Sequence, residues 1–201
     1  TDSDEIEQAI NDNGGKVIRS KKEHQCGSDR IAEAVVDLDV DVVINVQGDE
    51  PFIDEISLQK LIKVFNEDTS NQVDLASLKV LLKEEEEVQN PNNVKVITDI
   101  NDMAIYFSRS VIPYHRDKNE NIKYYKHKGV YAFRKQALID FYNMPMTPLE
   151  KAEKIEAIRY QEIGKKIKMI ETTVESVGID TPKDLEKAIK FLKNGFVKDV
   201  E

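Results

Sequence analysis

The sequence predicts an α/β protein with a mostly parallel central sheet flanked by helices, and three observations carry that reading. Near-continuous apolar runs such as Val42 to Val46 mark strands covered on both faces, as in parallel sheets. Amphipathic segments with recognisable helix starts and stops alternate with those runs. The chain has 201 residues, 40% hydrophobic and 33% charged, with only 8 Gly and 6 Pro. That is enough apolar side chain for a sizeable core, and it suits a single domain over residues 1–201.

Composition narrows the functional classes. Lys and Arg number 29 against 38 Asp and Glu, a formal charge of −9. That balance argues against a nucleic-acid or anionic-membrane partner, which would demand a basic face. The single cysteine, Cys26, rules out an internal disulfide and fits a reducing compartment. No apolar run approaches the roughly 20 residues of a membrane span, and no signal peptide is visible at the start. A soluble, cytoplasmic protein is expected.

Asp2 or Ser3 caps a first helix with Ile6, Ala9 and Ile10 on one face, and Asn13-Gly14-Gly15 stops it. A short strand at Val17-Ile18 follows. A parallel unit needs a strand before its first helix, and none precedes this one. Two readings stand at this point: an N-terminally truncated fold, or one that opens with a helix. Ser28 caps the next helix, with Ile31, Ala34, Val35 and Leu38 buried. Val42 to Val46 is a strand, and a helix carries Ile56, Leu58, Leu61, Ile62 and Phe65. Val73 to Val80 is a strand, and Glu84 to Glu87 a solvated face. Val94 to Ile97 and Met103 to Phe107 form a hairpin around Asp99, Asn101 and Asp102, a small β-rich annex.

Arg116 to Asn121 is a charged loop, Tyr124 to Phe133 a strand and Lys135 to Tyr142 a helix. Thr147 starts a further helix, with Pro148 at its first position and Glu150 completing a capping box. Leu149, Ile155, Ile158 and Ile163 are its stripe and Gly164 its stop. Ile167 to Ile170 is the last strand. Thr181-Pro182 opens a closing helix with Leu185, Ala188, Ile189 and Leu192 behind it, ended by Asn194-Gly195.

Ligands of open α/β sheets bind beyond the carboxyl ends of strands, where Gln47-Gly48-Asp49-Glu50-Pro51 lies. Gly48 permits close backbone approach, and Asp49 offers hard oxygens suited to Mg²⁺. The alternative is a capped turn with solvated acids. Asp180, before the Thr181 cap, is either a second metal ligand or favourable charge at a helix N-terminus. Cys26 reads as a small side chain rather than a nucleophile, since no partner base is identifiable. His24, His115 and His127 lack metal-ligand spacing. Arg109 suits either a bidentate grip on a carboxylate or phosphate, or a structural ion pair.

Taken together these motifs resemble a known family. Val46 to Ile53, VQGDEPFI, resembles the VQGDEPxI signature of the 3-deoxy-manno-octulosonate (KDO) cytidylyltransferases. HQCGSDRIAEA from His24 is similar to HxSGT(D/E)RxAEA. YFSRSVIP from Tyr106 matches YFSRxxIP, and HKGVY from His127 resembles HLGIY. Pro148 to Glu153 with Ile155 to Arg159 is similar to PLExxE followed by LEQLR, and GIDTPKDL from Gly178 to GVDTPEDL. The matches fall in family order across essentially the whole chain.

The resemblance implies a Rossmann-like nucleotidyltransferase fold, usually a homodimer, that uses Mg²⁺. It transfers CMP from CTP to the anomeric hydroxyl of KDO, releases pyrophosphate and feeds lipopolysaccharide assembly. It implies Asp49 and Asp180 as metal ligands and, with Gln47, the catalytic set. It implies Arg30, Gly27 and Gln47 at the nucleotide, and Arg109, His127, Tyr131 and Glu156 at the sugar. Such a family opens with a strand and a basic loop resembling IPARxxSxRxPGKPL. This chain begins after that loop, so truncation and an incomplete CTP site are expected. Cys26 replaces a Ser of the pattern, Lys128 an apolar residue, and Ala157 a Gln beside Glu156. The last two are the positions expected to separate KDO from a related sugar acid. An inactive fragment that binds sugar or dimerises is the non-enzymatic alternative.

Overall fold

The computed structural model describes residues 1–193 except 25, 118–121, 174–177 and 180. Helix α1 (Asp4–Asp12) begins at Ser3, whose Oγ accepts the Ile6 N–H at 3.3 Å, and ends at Gly14 with φ +75°. None of its residues is buried, and Ile6 is 51% exposed. The expected strand at Val17-Ile18 does not form. The Ile18 carbonyl accepts from the Thr1 ammonium and the Ser20 N–H donates to the Thr1 carbonyl, at 3.1 and 2.9 Å. One residue opposite two is too little to build a ladder.

Helix α2 (Gly27–Val35) corrects a second expectation. Its cap is Cys26 in extended conformation, and Ser28 lies inside the helix. The buried face is Ser28, Asp29, Ala32 and Val35, while Leu38 lies beyond the helix and is exposed. The Ser28 hydroxyl finds a carboxylate across the fold, a stronger acceptor than its own helix offers.

Strand β1 (Val42–Asn45) leads through the 47–54 loop to α3 (Glu55–Glu67), capped by Asp54, which accepts from Ser57 N at 2.8 Å. Leu61 and Phe65 of α3 are buried, whereas Ile56 and Ile62 are exposed. Strand β2 (Leu75–Leu82) precedes α4 (Glu85–Gln89), whose carboxylates are solvated as expected. Strands β3 (Lys95–Thr98) and β4 (Ala104–Ser108) form the expected hairpin. Asp99 Oδ1 accepts from Asn101 N and Met103 N, both at 2.8 Å, and Asp102 adopts φ 57°. Strand β5 (Tyr124–Arg134) and α5 (Lys135–Tyr142) follow.

The Thr147 capping box and Pro148 open α6 (Pro148–Glu153), but the helix expected through Ile163 breaks. Lys154 is left-handed at φ 56°, and α7 (Glu156–Glu162) starts afresh. Ile155 and Ile158 are buried, Leu149 is exposed, and Gly164 stops α7 with φ +79°. Strand β6 (Ile167–Glu171) and α8 (Pro182–Lys193) complete the described chain. Ala188 is buried in α8, while Leu185, Ile189 and Leu192 are exposed. Asn194-Gly195, the expected stop of α8, lies outside the described residues.

One sheet takes the order β4-β3-β5-β2-β6, with β1 beside the C-terminal half of β5. The α/β class with a central sheet flanked by helices is as the sequence predicts; the neighbour pairings differ. Strands β1, β2, β3 and β6 run one way, but β5 lies among them reversed and pairs antiparallel with β1, β2 and β3. Among the described strands only β2 and β6 pair in parallel. An apolar run reports burial on both faces, and β2 is buried on both whatever its neighbours' direction. The β3–β4 hairpin forms one edge of this sheet.

Side chains alternate across β2 and β5 into two cores. Leu75, Tyr131 and Phe133 face a core that includes Ala32, Leu138, Phe141 and Ile158. Ala76, Leu78, Val130 and Ala132 face one that includes Leu61 and Phe65 of α3.

Candidate active site

The loop beyond β1 closes on itself through Glu50 N donating to the Gln47 carbonyl at 3.0 Å. The Gln47 amide lies against Gly129 of β5, where a Cβ would sit 3.3 Å from Nε2 and press on the amide. Asp49 is half-buried, and its carboxylate has no hydrogen-bond or ion-pair partner among the described residues. Its carbonyl accepts from Ile179 N at 2.9 Å, and Gly178 packs beside Asp49 and Glu50. Asp180 itself lies outside the described residues.

Unengaged hard oxygens at Asp49 fit a divalent cation. Among the described residues no group of three or more metal-ligating side chains forms.

Lys128 is 3% exposed. Burial lowers its pKa, and the nearby Glu50 and Asp54 carboxylates oppose that shift. With Lys126, Glu50, Glu87 and Asn93 it lines a small cavity of about 120 Å³. Successive residues of a strand point to opposite faces, so Lys128 faces the 47–54 loop while His127 faces Phe107 and Tyr131. Lys128 thus lies on the side of β5 that faces the 47–54 loop. Ala157 is fully buried in the core, because it follows Glu156 on α7 and points inward.

His127 is enclosed by Phe107 and Tyr131, with ring centroids at 4.9 and 5.2 Å. Its Nε2 lies 2.9 Å from the Ser77 hydroxyl, at a bulge of β2. Burial first, and then Lys126, pushes its pKa down to about 3, so the ring is neutral. The Tyr131 phenol is pushed up by burial and by the Glu156 charge.

Glu156 opens α7 half-buried, and its Oε2 accepts from Ser28 Oγ at 2.6 Å. The same charge, after burial, pushes the Cys26 thiol up to about 12. That leaves Cys26 protonated at neutral pH, in line with the small-side-chain reading and against a nucleophile.

Arg109 is held by backbone carbonyls. Its Nε, Nη1 and Nη2 donate to the carbonyls of Glu153, Pro91 and Lys154 at 2.7, 3.1 and 3.4 Å. The guanidinium thus caps the helix end that opens where Lys154 breaks α6 from α7. Three of its five N–H donors are engaged by backbone, and its own main-chain N–H is held by Glu153 Oε2 at 2.9 Å. Arg30 pairs in bidentate fashion with Asp2 at 2.6 and 3.0 Å, near the surface. Gly27 is the first residue of α2, with open space where a side chain would stand.

The fold thus gathers His127, Tyr131 and Glu156 around the start of α7, places Gln47 and Asp49 beyond β1, and sets Arg109 at the end of α6. Sequence reasoning missed Ser28 and Ser77. A lone hydroxyl in the apolar run Leu75-Ala76-Ser77-Leu78 is the signal that marks Ser77.

A profile of the cytidylyltransferase family matches residues 1–167. The 3-deoxy-manno-octulosonate cytidylyltransferase of Christiangramia forsetii is 65% identical over 192 residues, covering 96% of this chain and 77% of that protein. Its counterpart in Flavobacterium johnsoniae is 56% identical over 194 residues, covering 96% and 80%. A solved CMP:2-keto-3-deoxy-manno-octonic acid synthetase complexed with CTP superposes with a TM-score of 0.89 at 34% identity, over 96% of this chain and 79% of that one. The fold is accordingly a Rossmann-like nucleotidyltransferase fold. The chain belongs to the cytidylyltransferase family, among the 3-deoxy-manno-octulosonate cytidylyltransferases.

Proposed function

We propose that this enzyme transfers CMP from CTP to the anomeric hydroxyl of KDO and releases pyrophosphate. The observation that carries the proposal is the Gln47–Pro51 loop. It presents, at the carboxyl end of β1, a carboxylate that no described group engages, and Ile179 is bonded to that same residue. The names and closeness of the relatives support KDO as acceptor.

In the reaction the anomeric oxygen forms a bond to the α-phosphorus. The bond from that phosphorus to the bridging oxygen breaks, pyrophosphate leaves, and the hydroxyl proton passes to solvent. Asp49 with Asp180 would hold Mg²⁺. When bound, the ion neutralises phosphate charge and lowers the pKa of the attacking hydroxyl. The Gln47 amide, set by its contact with Gly129, is assigned to the nucleotide, with Gly27 and the Arg30 guanidinium at the start of α2. Glu156 is assigned to a sugar hydroxyl, with Tyr131 and His127 as the wall behind it. Arg109 is assigned to holding the α6–α7 break.

The test is pyrophosphate release by the complete polypeptide as its gene encodes it, with CTP, KDO and MgCl₂. Equal yields of pyrophosphate and CMP-KDO are expected, abolished by a chelator. Turnover with a different sugar acid but not with KDO would replace the acceptor. No turnover with any sugar acid would overturn the proposal.

A further inference from the structure

We infer that Ser28 is a positioning residue that presets the Glu156 carboxylate for a sugar hydroxyl. The inference rests on the assignment of Glu156 to the sugar. Ser28 is 1% exposed and sits at the second position of α2, a helix packed against α5. Its hydroxyl turns away from its own helix and donates to Glu156 Oε2 at 2.6 Å, across 128 residues of sequence.

A serine at a helix start ordinarily bonds a nearby backbone N–H. Here α2 begins on Cys26 with no side-chain cap, so the hydroxyl is given to Glu156 instead. Ser28 donates to Oε2, and the Cys26 thiol beside it hydrogen-bonds to the same carboxylate. One oxygen is therefore held from behind by a buried hydroxyl, and the carboxylate keeps further lone pairs with which to accept.

The physical gain is preorganisation. A free glutamate side chain loses torsional freedom when it engages a ligand. A carboxylate already held by a buried donor has lost much of that freedom before the sugar arrives. The donor is uncharged and so sets no counter-charge against the carboxylate. The Cys26 thiol, kept protonated, is a second uncharged donor beside it.

Steady-state kinetics of the complete enzyme test the inference. Ser28→Ala is expected to raise the KM for KDO about tenfold, the scale of one charge-assisted hydrogen bond. The KM for CTP and the melting temperature are expected to stay close to the parent values. Ser28→Thr, which keeps the hydroxyl, should restore the KM for KDO. In a Glu156→Gln background, Ser28→Ala should add no further rise.

Two failures are separable. If Glu156→Gln leaves the KM for KDO unchanged, the sugar assignment itself is wrong. If Glu156→Gln raises it but Ser28→Ala does not, or if Ser28→Thr fails to rescue, the positioning role is overturned. Equal rises in the KM for KDO and CTP from Ser28→Ala would mark a general loss of structure and overturn it as well.

Discussion

Arg159 and Glu150 form a two-pronged ion pair inside the protein, Nε to Oε2 and Nη2 to Oε1, both at 2.6 Å. Arg159 is 1% exposed and Glu150 3%. The guanidinium also lies 3.9 Å from the Phe141 ring centroid and donates to the Phe141 and Met144 carbonyls. One pair thus ties α6 to α7 and both to the end of α5. It also explains why these motif residues are charged although neither reaches the loop beyond β1.

Breaking that pair from one side should be costly. Glu150→Ala leaves a guanidinium buried without its counter-charge, and a loss of about 3–5 kcal/mol is expected. Replacing both partners together, Glu150→Leu with Arg159→Met, should recover most of that loss, because neither desolvated charge remains. Urea denaturation midpoints of the three proteins check both statements.

Asp49→Asn should separate activity from stability. The carboxylate supports nothing in the described fold, so the unfolding free energy should change by less than about 0.5 kcal/mol. Pyrophosphate release should fall by about a thousandfold or more, as when a charge-stabilising group is removed. A fully active variant would dismiss the metal assignment; an inactive but unfolded one would contradict the geometry of the loop.

His127 predicts an acid limb in stability. Its folded pKa of about 3 lies below the ordinary value of 6.5. The unfolded chain therefore binds a proton that the folded chain refuses across that window. The contribution is fully present above about pH 6.5 and is lost as pH falls toward 3, with a slope approaching about 1.4 kcal/mol per pH unit. Urea melts across that range should show a shallower limb in His127→Gln than in the parent protein.

Arg109→Lys tests the backbone role of that side chain. An ammonium cannot reach three carbonyls in the geometry of the fork, so the α6–α7 break loses its caps. A loss of about 1–3 kcal/mol is expected in the thermal or urea midpoint. Unchanged stability with a lost grip on KDO would return Arg109 to the sugar.

Local chemistry was decided by the sequence alone. Thr147, Pro148 and Glu150 announce a helix start, Asp99 to Met103 a hairpin turn, and Val46 to Ile53 a loop beyond a strand, because each depends on neighbours a few residues away. Family membership was legible for the same reason, since its motifs are short and ordered. Only the tertiary structure decided that β5 runs reversed among its neighbours, because apolar runs carry burial but not direction. Only it broke the helix at Lys154, where Arg109, just past β4, takes the freed carbonyls. Only it turned Ser28 from a cap into the partner of Glu156, since a hydroxyl goes to the strongest acceptor that folding brings within reach.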